Sequence, residues 1–232
     1  WGLSVILGYL LLRWFFRQEN KDISKADDLT QYIFFSGLIG ARLGMLFYEP
    51  NYFFNNPTAI FRIWDGGLAS HGCIVGTFAG LLLFHLRNKE FSLWWLLDKA
   101  SITVLPLAGL VRIGNLFNHE IIGKATTQPW GFVFTRSSSF IADQGAVARH
   151  PSQIYDTILV FGLFFALMLL YKSKIKKPEG LFLALYFIIA FSIRALLEFW
   201  KYDSHTTQLL SLPIILIGIF TLIFKVLPEY RA

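Results

Sequence analysis

A single cysteine, Cys73, stands in the 232 residues, so no intrachain disulfide can staple an external segment of this chain. No two His or Cys residues fall at ligand spacing on one helix face, which argues against a bound metal, and no cofactor is called for. Internal repetition is missing as well: neither half visibly repeats the other, which weakens an inverted-repeat transporter. No separable soluble domain is evident. The first residue is Trp1 rather than Met, so a few residues ahead of it are expected, and a signal peptide is not judged from this stretch.

What abounds is apolar. The chain is 55% hydrophobic and 17% aromatic, with mean hydropathy +0.52, well outside the soluble average. Windows long enough to span a bilayer, roughly 20 residues each, fall at Trp1–Phe16, Leu29–Tyr48, Gly67–Leu86, Leu93–Phe117, Gln153–Tyr171, Gly180–Trp200 and Thr206–Phe224. The expected fold is all-α: a polytopic membrane helical bundle of about seven transmembrane helices forming one domain over residues 1–232. Helices suit that setting because their backbone hydrogen bonds close within each segment.

Net charge is +6, which raises the question of nucleic acid, but the distribution answers it. Arg17, Lys21 and Lys25 follow the first span, Arg87 and Lys89 the third, Lys172, Lys174, Lys176 and Lys177 the fifth, and Lys225 and Arg231 the seventh. Alternate loops are therefore basic, and the positive-inside rule makes them cytoplasmic, with the N-terminus outside and the C-terminus inside. No nucleic-acid partner is expected. The opposite connections, Glu49–Gly66, Asn118–Ser152 and Lys201–His205, are read as external. The first, with Phe53, Phe54, Phe61 and Trp64, resembles an amphipathic interfacial arm (49–66). The second is a small head (118–152), in which Gln128–Gly131 reads as a turn and Gly131–Phe134 as a short strand. Gly40 and Gly44, and Gly72, Gly76 and Gly80, recur at helical spacing and predict close-packed seams. Trp94 and Trp95 are expected as interfacial anchors.

Ionisable groups inside such spans are functional candidates by default. Arg42 falls late in the outward-running second span and His71 early in the inward-running third. Arg112 and Asn115 close the fourth, and Arg194 and Glu198 lie late in the sixth, so these polar groups gather in the outer half of the bilayer. Arg112 with Asn115, and Arg194 with Glu198, each share a helix face. Guanidinium groups match phosphate oxygens, so the cluster points to an anionic head group. Plainer readings stand beside this one: an intrahelical Arg194–Glu198 ion pair, a snorkelling Arg112, and a hydrogen-bonded core histidine at His71. Cys73 is expected as a small buried apolar residue, and His119 and His150 as solvated or structural. Asp98, with Lys99, lies apart at the cytoplasmic end of the fourth span, where it serves packing or orientation.

At these residues the chain resembles the bacterial prolipoprotein diacylglyceryl transferases. The family signature reads roughly G-R-x-G-N-F-x-N-x-E with a following glycine; here it stands as Val111-Arg112-Ile113-Gly114-Asn115-Leu116-Phe117-Asn118-His119-Glu120, with Gly123 beyond. Gly40-Ala41-Arg42-Leu43-Gly44, Gly66–Gly72, Arg149–Tyr155 and Arg194 with Glu198 agree in order. The resemblance implies a catalytic set of His71, Arg112, Arg194 and Glu120, substrate-binding positions at Arg42, Asn115, Gly123, Gln153 and Glu198, and a supporting Asp98. It further implies transfer of the diacylglyceryl group of phosphatidylglycerol to the lipobox cysteine of a prolipoprotein signal peptide, in the bacterial cytoplasmic (inner) membrane, with no metal or cofactor. The arginines would hold the lipid phosphate, and His71 or Glu120 would serve as base. Three positions depart from the family pattern: Trp1 replaces a tyrosine, His119 a glycine, and Ala190 an aromatic residue one turn before Arg194; the chain is also short for the family. The rival readings are a transporter or binding protein for an anionic lipid or solute, and a lipid phosphatase or phosphotransferase.

Overall fold

Long apolar runs punctuated by polar loops become long helices. The computed structural model describes residues 2–137, 146–201 and 207–231. Trp1, residues 138–145 of the expected head and residues 202–206 of the last external loop lie outside them. The helices are α1 (Gly2–Gln18), α2 (Ile23–Tyr48), α3 (Pro50–Asn55), α4 (Ser70–Arg87), α5 (Leu93–Asn118), α6 (Ser152–Lys172), α7 (Leu181–Leu197), α8 (Thr207–Thr221) and α9 (Leu227–Arg231), with a π-helical stretch at Leu222–Val226. A helix lies in each of the seven apolar windows. By length and composition four segments can cross a membrane: Leu93–Asn118, Ser152–Lys172, Leu181–Trp200 and Ser211–Tyr230. The count of seven spans is not reached on these terms. α1 has 17 residues, the first turns of α2 carry Lys25, Asp27 and Asp28, and α4 bears His71, His85 and Arg87. The apolar faces of α6 and α8 are turned outwards at Ile158, Phe165, Leu169, Leu216 and Phe220, as a helix in lipid requires.

Packing divides the chain into two compact units, Tyr9–Leu97 and Trp1–Gly8 with Asp98–Ala232. In the first, Asp22 begins α2. Hydrogen bonds from the Ser24 hydroxyl and backbone N–H hold the Asp22 carboxyl below the usual carboxylate range and satisfy one of the free N–H groups of the first turn. α2 and α4 then pack along a glycine seam. A Cβ at Gly76 would lie 2.1 Å from the Ser36 carbonyl oxygen, and one at Gly40 2.3 Å from that of Gly72. Small residues here bring the two backbones together. At the far end Phe16, Phe84, Phe91 and Trp95 form a buried aromatic cluster, with Lys21 Nζ 4.8 Å from the Trp95 ring centre. Trp95 is therefore core, its indole N–H donating to Glu19, and only Trp94 is exposed. Its own hydrogen-bond partner and the rings of Phe16 and Phe91 offered Trp95 more than the interface would.

In the second unit Asp98 is the hinge of the helix starts. Its buried carboxylate accepts the N–H groups of Gly180 and Leu183, each at 2.8 Å, so a side chain of α5 caps α7. Gly180 stands at φ +90°, a conformation that favours glycine. Close approach recurs where Gly109 of α5 meets the Phe161 ring of α6. In the head, Phe132–Val133 (β1) pairs antiparallel with Ala148–Arg149 (β2), Phe132 opposite Arg149, and the Gly131 N–H closes a turn on the Gln128 carbonyl at 3.0 Å. Both match the expected turn and strand.

The seam makes a stability prediction. Gly76→Ala should lower stability by about 1–3 kcal/mol through overpacking, whereas Gly162→Ala on α6, where a Cβ meets nothing within 4 Å, should not. Thermal melting of the two variants in detergent checks this; equal melting temperatures would remove the seam's proposed weight.

Candidate functional site

In the unit that contains Asp98–Ala232, a cavity of about 110 Å³ opens between α5, α6 and α7, lined by Arg112, Asp156, Tyr186 and Arg194 and by apolar side chains including Val104, Leu105, Val160 and Phe191. Two arginines from different helices thus face one space. Their surroundings differ. Arg112 Nε lies 3.0 Å from Asp156 Oδ2; Lys201 Nζ stands 3.9 Å from the same oxygen and 3.1 Å from Glu198 Oε1. Asp156, Glu198 and Lys201 are all buried. This chain of two cations and two carboxylates is neutral in sum. Asp156 Oδ2 is matched by charge rather than by a well-directed hydrogen bond. Arg194 has no ion pair or hydrogen bond among the described residues, so its charge is the uncompensated one. The Arg194–Glu198 pair suggested by their spacing does not form. Glu198 lies in the 3₁₀ turn Glu198–Trp200 that ends α7, and there it meets Lys201 instead.

Beyond α5 the chain turns sharply. Glu120 Oε2 accepts from Asn115 Nδ2 at 2.7 Å, and Oε1 faces Asn118 Nδ2 at 3.5 Å. Its backbone carbonyl accepts from the buried Gln153 amide at 2.6 Å. The two neighbours of Glu120 both take positive φ: His119 at 59° and Ile121 at 55°. Left-handed backbone costs an ordinary residue about 1–2 kcal/mol, and a β-branched one is an outlier there. His119 stands where the related signature has glycine, so the departure falls at a position whose geometry glycine adopts freely. The imidazole is structural: Nδ1 accepts the Arg136 N–H at 3.0 Å. His150 is likewise held, with Nδ1 3.0 Å from the Tyr155 hydroxyl. Gly123 threads between two strands of chain. Its N–H donates to the His150 carbonyl at 3.0 Å, and a Cβ would come within 2.4 Å of that oxygen and 2.9 Å of the Trp200 carbonyl. Its place is set by backbone crowding.

Arg42, His71 and Cys73 belong to the unit Tyr9–Leu97. Arg42 was expected to bind substrate; it is buried and turned inward on its own backbone. Nε donates to Ile60 O at 3.0 Å, Nη1 to Gly66 O at 2.6 Å and Gly67 O at 2.9 Å, and Nη2 to Arg62 O at 3.1 Å and to Ala59 O. Those five carbonyls match the five N–H groups of a guanidinium, so in this structure Arg42 pins the arm. Phe53 packs beneath it, while Phe54, Phe61 and Trp64 stay exposed. His71 is exposed on α4, with Nδ1 2.8 Å from the Tyr48 hydroxyl. Cys73 is exposed rather than buried, because the glycines of α4 occupy the packed face.

Asp156, Lys201 and Tyr48 were missed from the sequence. Asp156 carried a usable signal, an ionisable residue in the first turns of an apolar span. Lys201 and Tyr48 did not, since each gains meaning only from a neighbour.

These features define a class: a multi-pass α-helical membrane protein with an arginine-lined pocket open between its helices. The sequence profile described as prolipoprotein diacylglyceryl transferase matches residues 1–224. Similar proteins include the phosphatidylglycerol–prolipoprotein diacylglyceryl transferase of Chloroherpeton thalassium, 38% identical over 97% of this chain and 85% of that protein. Those of Tolumonas auensis (34% identical, 97% and 89%) and Porphyromonas gingivalis (33%, 94% and 84%) bear the same name. This chain belongs to the prolipoprotein diacylglyceryl transferase family.

Removing one member of a buried ion pair strands the other in low dielectric. Asp156→Ala should therefore cost about 3–5 kcal/mol, visible as a large fall in melting temperature, with Asp156→Glu much milder. A wild-type melt for Asp156→Ala would show that the Arg112 charge is solvated by other means.

Proposed function

We propose that this chain transfers the diacylglyceryl group of phosphatidylglycerol to the lipobox cysteine thiol of prolipoproteins. Family membership and the names of its relatives support the reaction. The observation that carries the local reading is the unmatched guanidinium of Arg194, facing the same cavity as Arg112. A half-buried cation that faces a cavity without a carboxylate calls for an anion, and a lipid phosphate answers that demand with bidentate geometry.

In the reaction the substrate thiolate attacks the glyceryl CH₂ that bears the phosphate oxygen. The S–C bond forms, the C–O bond breaks, and glycerol phosphate leaves as an anion that takes up the proton released from the thiol. Arg112 and Arg194 neutralise charge as it grows on the departing phosphate. Asp156 orients Arg112 through Nε, which directs the remaining guanidinium edge towards the lipid. His71 is assigned as the base: with Nδ1–H given to the Tyr48 oxygen, the Nε2 lone pair is available for the thiol proton. Glu120 orients the head group with Asn115, supported by Gln153. The assigned setting is the bacterial inner membrane, with seven spans, one transferase domain over 1–232, arm and head on the periplasmic side, N-terminus periplasmic and C-terminus cytoplasmic.

The test is incubation of purified protein with phosphatidylglycerol and a cysteine-containing lipobox peptide, reading thioether formation and glycerol phosphate release. Arg194→Ala should lower turnover by about 10²–10³-fold while melting like the wild type, since it breaks no ion pair; Arg194→Lys should also be impaired, lacking the planar fork. Wild-type turnover by folded Arg194→Ala would end the proposed phosphate contact.

A further inference from the structure

Resting on the transferase reading, we propose that Tyr186 is a substrate-binding residue whose hydroxyl donates to an acyl-ester carbonyl of the bound lipid. Residues 186, 190 and 194 of α7 follow one another at four-residue spacing, on one face, and all three line the cavity that also holds Arg112 and Asp156. The middle position is Ala190, so a methyl group separates the phenol from the arginine and the space between them stays open. The Tyr186 ring is fixed by packing against Phe187 and Phe191, centre to centre 5.6 and 6.0 Å. Its hydroxyl has no hydrogen-bond partner among the described residues. A tyrosine set in apolar surroundings ordinarily finds such a partner, and here the available direction is the cavity.

The chemistry of the wall selects the acceptor. The phosphate belongs with the two guanidinium groups, whose charge a neutral phenol cannot match. Eight residues along a helix amount to about 12 Å of rise, which sets the phenol down the cavity from Arg194, beside Val104, Leu105 and Val160. In a glycerophospholipid the groups that lie between a phosphate and its hydrocarbon tails are the glycerol and its two ester linkages. Their carbonyl oxygens accept and cannot donate, which suits an O–H donor in an apolar wall.

Two lipids that share a head group separate this contact from simple packing: diester phosphatidylglycerol and its diether analogue, which lacks both carbonyls but keeps the reacting C–O–P linkage. With full-length protein and the lipobox peptide, wild type should show a KM for the diether about tenfold above that for the diester, the size of one lost neutral hydrogen bond. Tyr186→Phe should raise the diester KM by about tenfold with kcat within about twofold, and should then treat the two lipids alike. Equal KM values of wild type for diester and diether would overturn the inference. So would a Tyr186→Phe penalty of the same size on both lipids, which would mean that the hydroxyl serves the fold. Absence of thioether from wild type with either lipid would instead remove the transferase reading, and this inference with it.

Discussion

A charge placed among apolar helices must be answered by another charge or by aligned backbone dipoles, and this structure is arranged around that demand. Arg112 is answered by Asp156 at 3.0 Å, and Lys201 by Glu198 at 3.1 Å. Asp98 is answered by the first N–H groups of α7, and Arg42 by carbonyls of the arm. Each solution also does structural work: a buried pair left incomplete is strongly destabilising, so the partners hold their helices in place. Arg194 alone among these groups has no such partner among the described residues, and the reaction proposed for this chain would supply one in the form of a phosphodiester.

The segment after α5 follows a second constraint. Glu120 is carried between two residues of positive φ, His119 and Ile121, and is tied by Asn115 and Gln153. Strain of this kind persists only where surrounding contacts over-determine the backbone. Gly123, crowded by His150 and Trp200, provides part of that determination. The head therefore does more than cover the end of the helices: its crossing chains fix the position of a carboxylate.

Much of this was legible beforehand. Apolar windows foretold where helices lie, and four-residue glycine spacing foretold close-packing faces on α2 and on α4, because each is a property of neighbouring residues along one element. The turn at Gln128–Gly131 and the strand that follows it were legible for the same reason, whereas the partner strand Ala148–Arg149 was not. Partner choice was not. Arg42 looked like an anion binder, but no spacing rule connects it to carbonyls 17 to 25 residues away. Arg194 and Glu198 stand four apart, yet the 3₁₀ turn at the end of α7 gave Glu198 to Lys201. Trp95 had the position of an interfacial anchor and became core, while Cys73 had the character of core and became exposed.

Composition and periodicity alone therefore determined that this is a helical membrane protein, and the run from Val111 to Glu120 carried the family resemblance. Those are local quantities, set by hydropathy and by the geometry of a single helix. Only the tertiary structure decided which arginine is neutralised and which is free, because the energy of a buried charge depends on groups within a few ångströms in space, wherever they fall along the chain. Asp156 and Lys201 acquired their roles in that way, and so did the open face of Arg194.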